Sequence, residues 1–266
     1  RLRARQARAV VVDSHPTAIV AADRLLLFVT LDGRELRSVE TARPVRALCH
    51  DATGCLWMTM GDQVARLSAA GEIKTVGDGL GRESALTGIA VAEDGRIFVA
   101  DSARRVVWRL DASGKKIGQI TAGEGGFAVP RAFFPIAWQD GHLVVAEPGR
   151  HQVRRFTAEG EPVAAWGART RDASGFSGCC NPVSVAALSD GGVVTVERGQ
   201  ARVKRFAASG ELLATLAGPE AFAPVAATLD GEDMFGCEGG LFDVTATADG
   251  RVVVLDRSAA ELRVFS

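Results

Sequence analysis

Cysteine carries the most versatile chemistry in this 266-residue chain, and three of its five cysteines fall in two glycine-rich stretches. Cys179 and Cys180 stand in R-T-R-D-A-S-G-F-S-G-C-C-N-P (169–182), and Cys237 in D-G-E-D-M-F-G-C-E-G-G (230–240). Thiolates are soft ligands that suit Cu(I), Zn or an iron–sulfur cluster, and they carry redox chemistry. Glu238 and His151 are candidate fourth ligands to such a metal. Adjacent cysteines are not the zinc-ribbon spacing, in which two intervening residues turn both sulfurs toward one ion. A disulfide between Cys237 and one of the pair would instead staple the two stretches together in an oxidising compartment. Both readings stay open. An odd count leaves at least one thiol outside any intramolecular pairing. The other two, Cys49 and Cys55, read as small buried hydrophobes.

Carboxylates come next. Asp101, Glu147, Glu197 and Asp256 recur at one place in a repeating pattern, with Asp23 as a fifth. Such a ring could hold a hard cation such as Ca²⁺. Recurrence in most copies favours a structural device, in which each carboxylate accepts backbone amides of the following turn. In an enzyme, Glu147, Glu197 or Glu238 would serve as acid or base. His15, His50 and His142 map to turns or strand starts on the face opposite the cysteines. Only His151, in P-G-R-H-Q (148–152), shares the cysteine face, so a histidine-rich metal site is not expected. No Ser-His-Asp order or nucleophile elbow stands out. Basic residues gather around Arg150, Arg154, Arg155, Arg169, Arg171, Arg198, Arg202, Lys204 and Arg205. Some could meet an anion at Arg198 and its neighbours. The alternation in V-R-R-F (153–156) and V-K-R-F (203–206) reads as a solvated strand face. A net charge of −1 and few exposed aromatics argue against a nucleic-acid partner.

These residues need elements to position them, and the chain supplies an internal repeat. Its clearest copy runs T-G-I-A-V-A-E-D-G-R-I-F-V-A-D from Thr87, then S-A-R-R-V-V-W-R-L-D-A-S-G and K-K-I-G-Q-I. It reads as four strands, with Gly95 in the first turn and Gly114 in the third. The glycine pair recurs as Gly141 with Gly160 and Gly191 with Gly210, and more tightly as Gly54 with Gly71. Gly250 opens a last copy, and Asp32-Gly33 forms a third turn in a diverged first one. Third strands agree as V-A-R-L (64–67), V-W-R-L (107–110), V-R-R-F, V-K-R-F and L-R-V-F (262–265). Innermost strands such as I-A-V-A (89–92) are apolar throughout, as strands buried on both faces should be. Repeat starts fall near 8, 47, 88, 135, 184 and 243. Four strands per period of about 40–50 residues predicts a β-propeller.

The expected fold is therefore all-β: one six-bladed β-propeller of four-stranded antiparallel blades filling residues 1–266. The last copy lacks a fourth strand at its end. Either residues 1–6 supply it or that blade has three strands. Loops between second and third strands, and loops between blades, should share one face, the top face, with Cys179, Cys180 and Cys237. Nowhere does an apolar run approach the roughly 18–20 residues that span a bilayer. Arg1 to Arg8 are basic and polar, so they do not read as a signal-peptide core.

The motifs G-I-A-V…D-G-R-I-F-V-A-D (88–101), N-P-V-S-V-A (181–186) and the R-V-x-R-F-x-x-x-G strand at 202–210 resemble NHL-repeat propellers over nearly the whole chain. That family includes RNA-binding modules, protein-interaction domains, extracellular sensor domains and a zinc-dependent lyase. The C-C-N-P loop resembles a branch of bacterial NHL-like proteins. That likeness implies a periplasmic or extracellular role, beside electron-transfer partners. Two functions from different classes follow. One is a non-enzymatic binding or scaffold propeller whose cysteine-bearing top face holds a protein partner, small ligand or metal. The other is a metal- or thiolate-dependent enzyme (lyase, hydrolase or redox) at the channel mouth.

Overall fold

The computed structural model describes residues 7–13, 17–68, 70–130, 133–198, 200–222 and 242–266. Cys237 and Glu238, His15 and the candidate closing segment 1–6 lie outside the described residues.

The chain forms a six-bladed β-propeller. Blade one holds β1 (Ala7–Val12), β2 (Thr17–Ala22), β3 (Leu25–Thr30) and β4 (Glu35–Glu40), and blade two holds β5 (Val45–His50), β6 (Leu56–Met60), β7 (Gln63–Leu67) and β8 (Ile73–Val76). Blade three has β9 (Leu86–Val91), β10 (Ile97–Asp101), β11 (Val106–Leu110) and β12 (Lys116–Ile120), and blade four has β13 (Ile136–Gln139), β14 (His142–Glu147), β15 (Gln152–Thr157) and β16 (Pro162–Trp166). Blade five contains β17 (Ser184–Ala187), β18 (Val193–Glu197), β19 (Arg202–Phe206) and β20 (Leu212–Ala217). Among the described residues blade six contributes β21 (Phe242–Ala246), β22 (Val252–Asp256) and β23 (Glu261–Phe265). Strands within each blade pair antiparallel in sequence order.

The expected glycine turns are where the repeat put them. Gly95 turns β9 into β10 at φ 84°, donating to Ala92 O, and Gly114 turns β11 into β12 at φ 84°. Gly114 also meets blade two: a Cβ there would stand 2.6 Å from Gly77 N and 2.7 Å from Val76 O. Only glycine serves both the left-handed turn and that approach. Second strands are buried throughout, as in Ile97–Asp101 and Val193–Glu197. Apolar clusters lie between neighbouring blades. One joins Val10, Val20 and Leu27 of blade one to Val253 and Leu255 of blade six. That cluster and the packing of β1 on β21 close the ring.

Two strands, β15 and β19, depart from expectation. The basic residues of V-K-R-F and V-R-R-F do not all form a solvated face, because Lys204 is fully buried and Arg155 is 7% exposed. Lys204 Nζ pairs with Glu197 Oε1 at 2.9 Å, donates to the carbonyls of Ala173 and Gly175, and lies 4.2 Å from the ring centre of Phe176. The long segment between β16 and β17 folds back over β19 and covers it. Burial pulls the ammonium below its ordinary pKa, with the Glu197 carboxylate opposing. Arg205 keeps the expected exposed character, paired with Asp190.

A buried charge left without its partner is costly. Lys204→Met should therefore lower the urea-unfolding free energy by about 3 kcal/mol. Arg205→Ala, at the exposed pair, should change it by less than about 0.5 kcal/mol. Equal effects at the two sites would contradict this placement.

Candidate functional site

Two features share the top face: the mouth of the central channel and the Cys179–Cys180 loop. The channel is a cavity of about 320 Å³ that follows the inner strands from Arg8 and Arg46 at their starts to Val12 and His50 at their ends. Its mouth takes one residue from each blade: Arg8, Arg46, Thr87, Pro135, Ser184 and Asp243. In blades one to three the register shifts at this position, between Ala7 and Ala9, between Val45 and Ala47, and beside Thr87. Such bulges re-aim a side chain. Arg257, just after β22, joins the lining. The described lining residues thus include three arginines and one carboxyl, and Arg257 lies near enough to that carboxyl to act on it electrostatically.

That carboxylate links three blades. Val10 N–H donates to Asp243 Oδ2 at 2.8 Å, Ser184 Oγ–H donates to Oδ1 at 2.6 Å, and Val244 N–H donates to Ser184 Oγ at 3.2 Å. Burial pushes the Asp243 carboxyl above its ordinary pKa, while these hydrogen bonds and Arg257 hold it down in part. At the other end of the channel, His50 Nδ1 donates to Val12 O at 3.2 Å, and burial lowers its pKa. Cys49 lies on the channel wall and Cys55 near it. Both are half-buried against the cluster of blades two and three, and burial raises both thiols.

Asn181 frames the cysteine loop. This fully buried side chain donates from Nδ2 to the carbonyls of Ser177 and Arg198 and accepts Arg198 N–H at Oδ1. Arg198 Nε donates to Cys179 O at 3.2 Å. His151, expected as a metal ligand, is 7% exposed and donates from Nε2 to Gly178 O at 2.9 Å, so this nitrogen is turned to the loop backbone. Between these anchors Cys179 is exposed, Cys180 is half-buried, and their sulfurs stand 3.1 Å apart. Cys180 packs on a cluster containing Phe133 and Val183, which also line the channel. Neither Cys179 nor Cys180 lines the channel; their loop runs directly into Val183 and Ser184 of the lining and forms its rim. Cys237 and Glu238 lie outside the described residues. Among the described residues no three metal-ligating side chains converge.

The recurring acids are buried structural acceptors. Asp101 takes the amides of Ala103 and Arg104 in its own turn, and also that of Ala85 at 3.0 Å. Glu147 takes Ala128 N–H at 2.8 Å with Arg150 and Arg154 beside it, and Glu197 takes Ser177 N–H at 2.8 Å with Arg202 and Lys204. Asp256 binds Ser258, Ala259 and Arg263. All four have no exposed surface, and Glu147 and Glu197 are not among the residues that line the channel. Asp23 departs from the set. It is exposed in a tight turn at φ 53°, and its backbone carbonyl accepts Val45 N–H. The mouth ring escaped sequence reading. Its signal is a polar residue breaking the apolar inner strand in five of the six blades, as in V-R-A-L (45–48), with Pro135 in the sixth place.

The fold and this site define a six-bladed β-propeller with a polar channel mouth. No family model and no curated protein matches the chain. Among solved structures it is similar to a streptogramin B lyase, at 16% identity and TM-score 0.69, over 100% of this chain and 94% of that one. It is also similar to virginiamycin B lyase from Staphylococcus aureus (17% identity, TM-score 0.60, 98% and 85% covered). A third likeness is to the WD40 propeller domain of Doa1 (12%, 0.63, 98% and 78%). At these identities the likeness shows the fold alone.

Asp243 gives the site a pH signature. A carboxyl raised in the folded state holds its proton more tightly than the unfolded chain does, so stability falls as pH rises through the raised value. Asp243→Asn removes that titration and keeps an acceptor. Its stability relative to the parent should climb as pH rises from about 4 toward neutral, measured by urea unfolding. A difference that stays flat with pH would contradict the raised carboxyl.

Proposed function

We propose that this chain is a non-enzymatic binding propeller whose top face, formed by the channel mouth and the Cys179–Cys180 rim, holds a small anionic ligand. The supporting observation is the set of arginines among the described residues that line the cavity, Arg8, Arg46 and Arg257, with the Asp243 carboxyl beside them. Guanidinium groups match carboxylate and phosphate oxygens with paired donors. Thr87 and Ser184 add hydroxyls at the same level. NHL-like membership and a periplasmic or extracellular setting, both carried by the sequence resemblance, belong to this proposal. So does a partner in electron transfer, which the sulfur pair at the rim would suit.

A second reading is favoured by one feature. A carboxyl with a raised pKa inside a cavity is a common acid–base device. In an enzyme at this mouth, Asp243 would be the proton donor, with the arginines holding the substrate. The enzyme reading requires turnover that Asp243→Asn abolishes while binding persists.

Calorimetric titration with citrate and with inorganic phosphate tests the binding reading. The parent protein should bind one of the two in a salt-dependent way, and Arg46→Gln should weaken it by about tenfold, the effect of one charged hydrogen bond of roughly 1.5 kcal/mol. No binding, or binding indifferent to Arg46→Gln, overturns the anionic ligand.

A further inference from the structure

The vicinal sulfurs at the rim support a chemistry that does not depend on the ligand in the channel. Cys179 and Cys180 are in thiol–thiol contact, Sγ to Sγ 3.1 Å. A disulfide bond is about 2.05 Å, so closure asks for a movement of about 1 Å. The backbone on either side is already held: Ser177 and Arg198 by the Asn181 side chain, Gly178 by His151, and Cys179 by Arg198. Gly178 at φ 75° and Cys180 at φ 56° both occupy the left-handed region, which costs a non-glycine residue energy and persists only where surroundings enforce it. The clamps thus hold the two sulfurs on one side of the loop.

The two sulfurs are also unequal. Cys179 is exposed, whereas Cys180 rests against the apolar cluster that includes Phe133 and Val183. An incoming reagent therefore meets Cys179 first, with Cys180 placed behind it to resolve the product. Neighbouring residues have Cα atoms only about 3.8 Å apart, short of the roughly 4.4–6.8 Å that most disulfides span. A bond between them is consequently strained and easily reduced, which suits exchange and not stapling.

We propose that Cys179 and Cys180 form a vicinal dithiol–disulfide couple that exchanges with a small-molecule disulfide at the channel rim. The Cys179 thiolate attacks one sulfur of the incoming disulfide, whose S–S bond breaks and releases one thiol. The Cys180 thiolate then attacks Cys179 Sγ in the mixed disulfide and releases the second thiol. Two electrons pass from the cysteine pair to the incoming disulfide, and the two cysteine protons leave on the two released thiols.

Glutathione disulfide is the probe, applied to the full chain, with thiols then blocked and peptides sized by mass spectrometry. The expected product is a peptide carrying both Cys179 and Cys180 that is lighter by two hydrogens, with two glutathiones released per chain and reversal by dithiothreitol. Cys180→Ser should instead trap a stable mixed disulfide on Cys179. In Cys237→Ser the bond should form unchanged. A bond from either residue to Cys237, or a pair that keeps both thiols under excess glutathione disulfide, overturns the proposal. Citrate or phosphate binding in the channel is read separately, so the ligand proposal can fail while this one stands, and the reverse.

Discussion

A buried carboxylate at the end of the second strand organises the top face. Asp101, Glu147 and Glu197 each accept an amide from the segment that arrives from the preceding blade, at Ala85, Ala128 and Ser177. Each side of this contact needs the other. A carboxylate without solvent is expensive unless it is hydrogen-bonded, and a linker crossing the buried end of a sheet leaves amides that need acceptors. Blades one and two tie the departing segment instead. Their second and third strands are joined by tight turns, and backbone carbonyls of Asp23 and Asp62 accept Val45 and Leu80. The latch is most elaborate at Glu197, where Arg202 and Lys204 add charge and Lys204 also reaches the carbonyls of Ala173 and Gly175. That is the linker that carries Cys179 and Cys180.

The repeat was legible because its turns are written in backbone chemistry. Glycines with positive φ at Gly95, Gly114 and their counterparts are required by the turn itself, whatever packs around it. The recurring acids could be read as structural for the same reason, since one job repeated in several blades is seldom catalysis. Lys204 was not legible. An alternating strand looks the same whether water or a folded-back linker covers its second face, and the covering residues lie some 30 positions earlier in the chain. Asp23 misled because its sequence matches its counterparts, yet a shorter turn follows it. The channel ring was hidden because its six members come from six separate blades. A lone Arg46 or Asp243 in an apolar run says little until the others stand around it. His151 was assigned to the correct face, but its role depends on a carbonyl 27 residues away.

The latches and the site belong together physically. A rim built from long linkers would be loose if each linker were tied only at its ends. Pinning Ser177 to Glu197, and then Ser177, Gly178 and Cys179 to Asn181, His151 and Arg198, fixes the cysteine pair beside the channel. The channel mouth is fixed differently, by bulges in the inner strands and by the Asp243 bridge to Ser184 and Val10. Two sets of polar side chains, one cationic and one sulfur-bearing, thus share one rim while depending on separate supports. A change in one support need not disturb the other.

Amide hydrogen exchange at Ala128 tests the latch most directly. The account predicts that this loop amide exchanges as slowly as strand amides of β14. It predicts too that Glu147→Ala speeds it by about tenfold or more, as the loss of a charged hydrogen bond of roughly 1.5–3 kcal/mol requires. Exchange at the rate of an open loop in the parent protein, or no change in the variant, would contradict it.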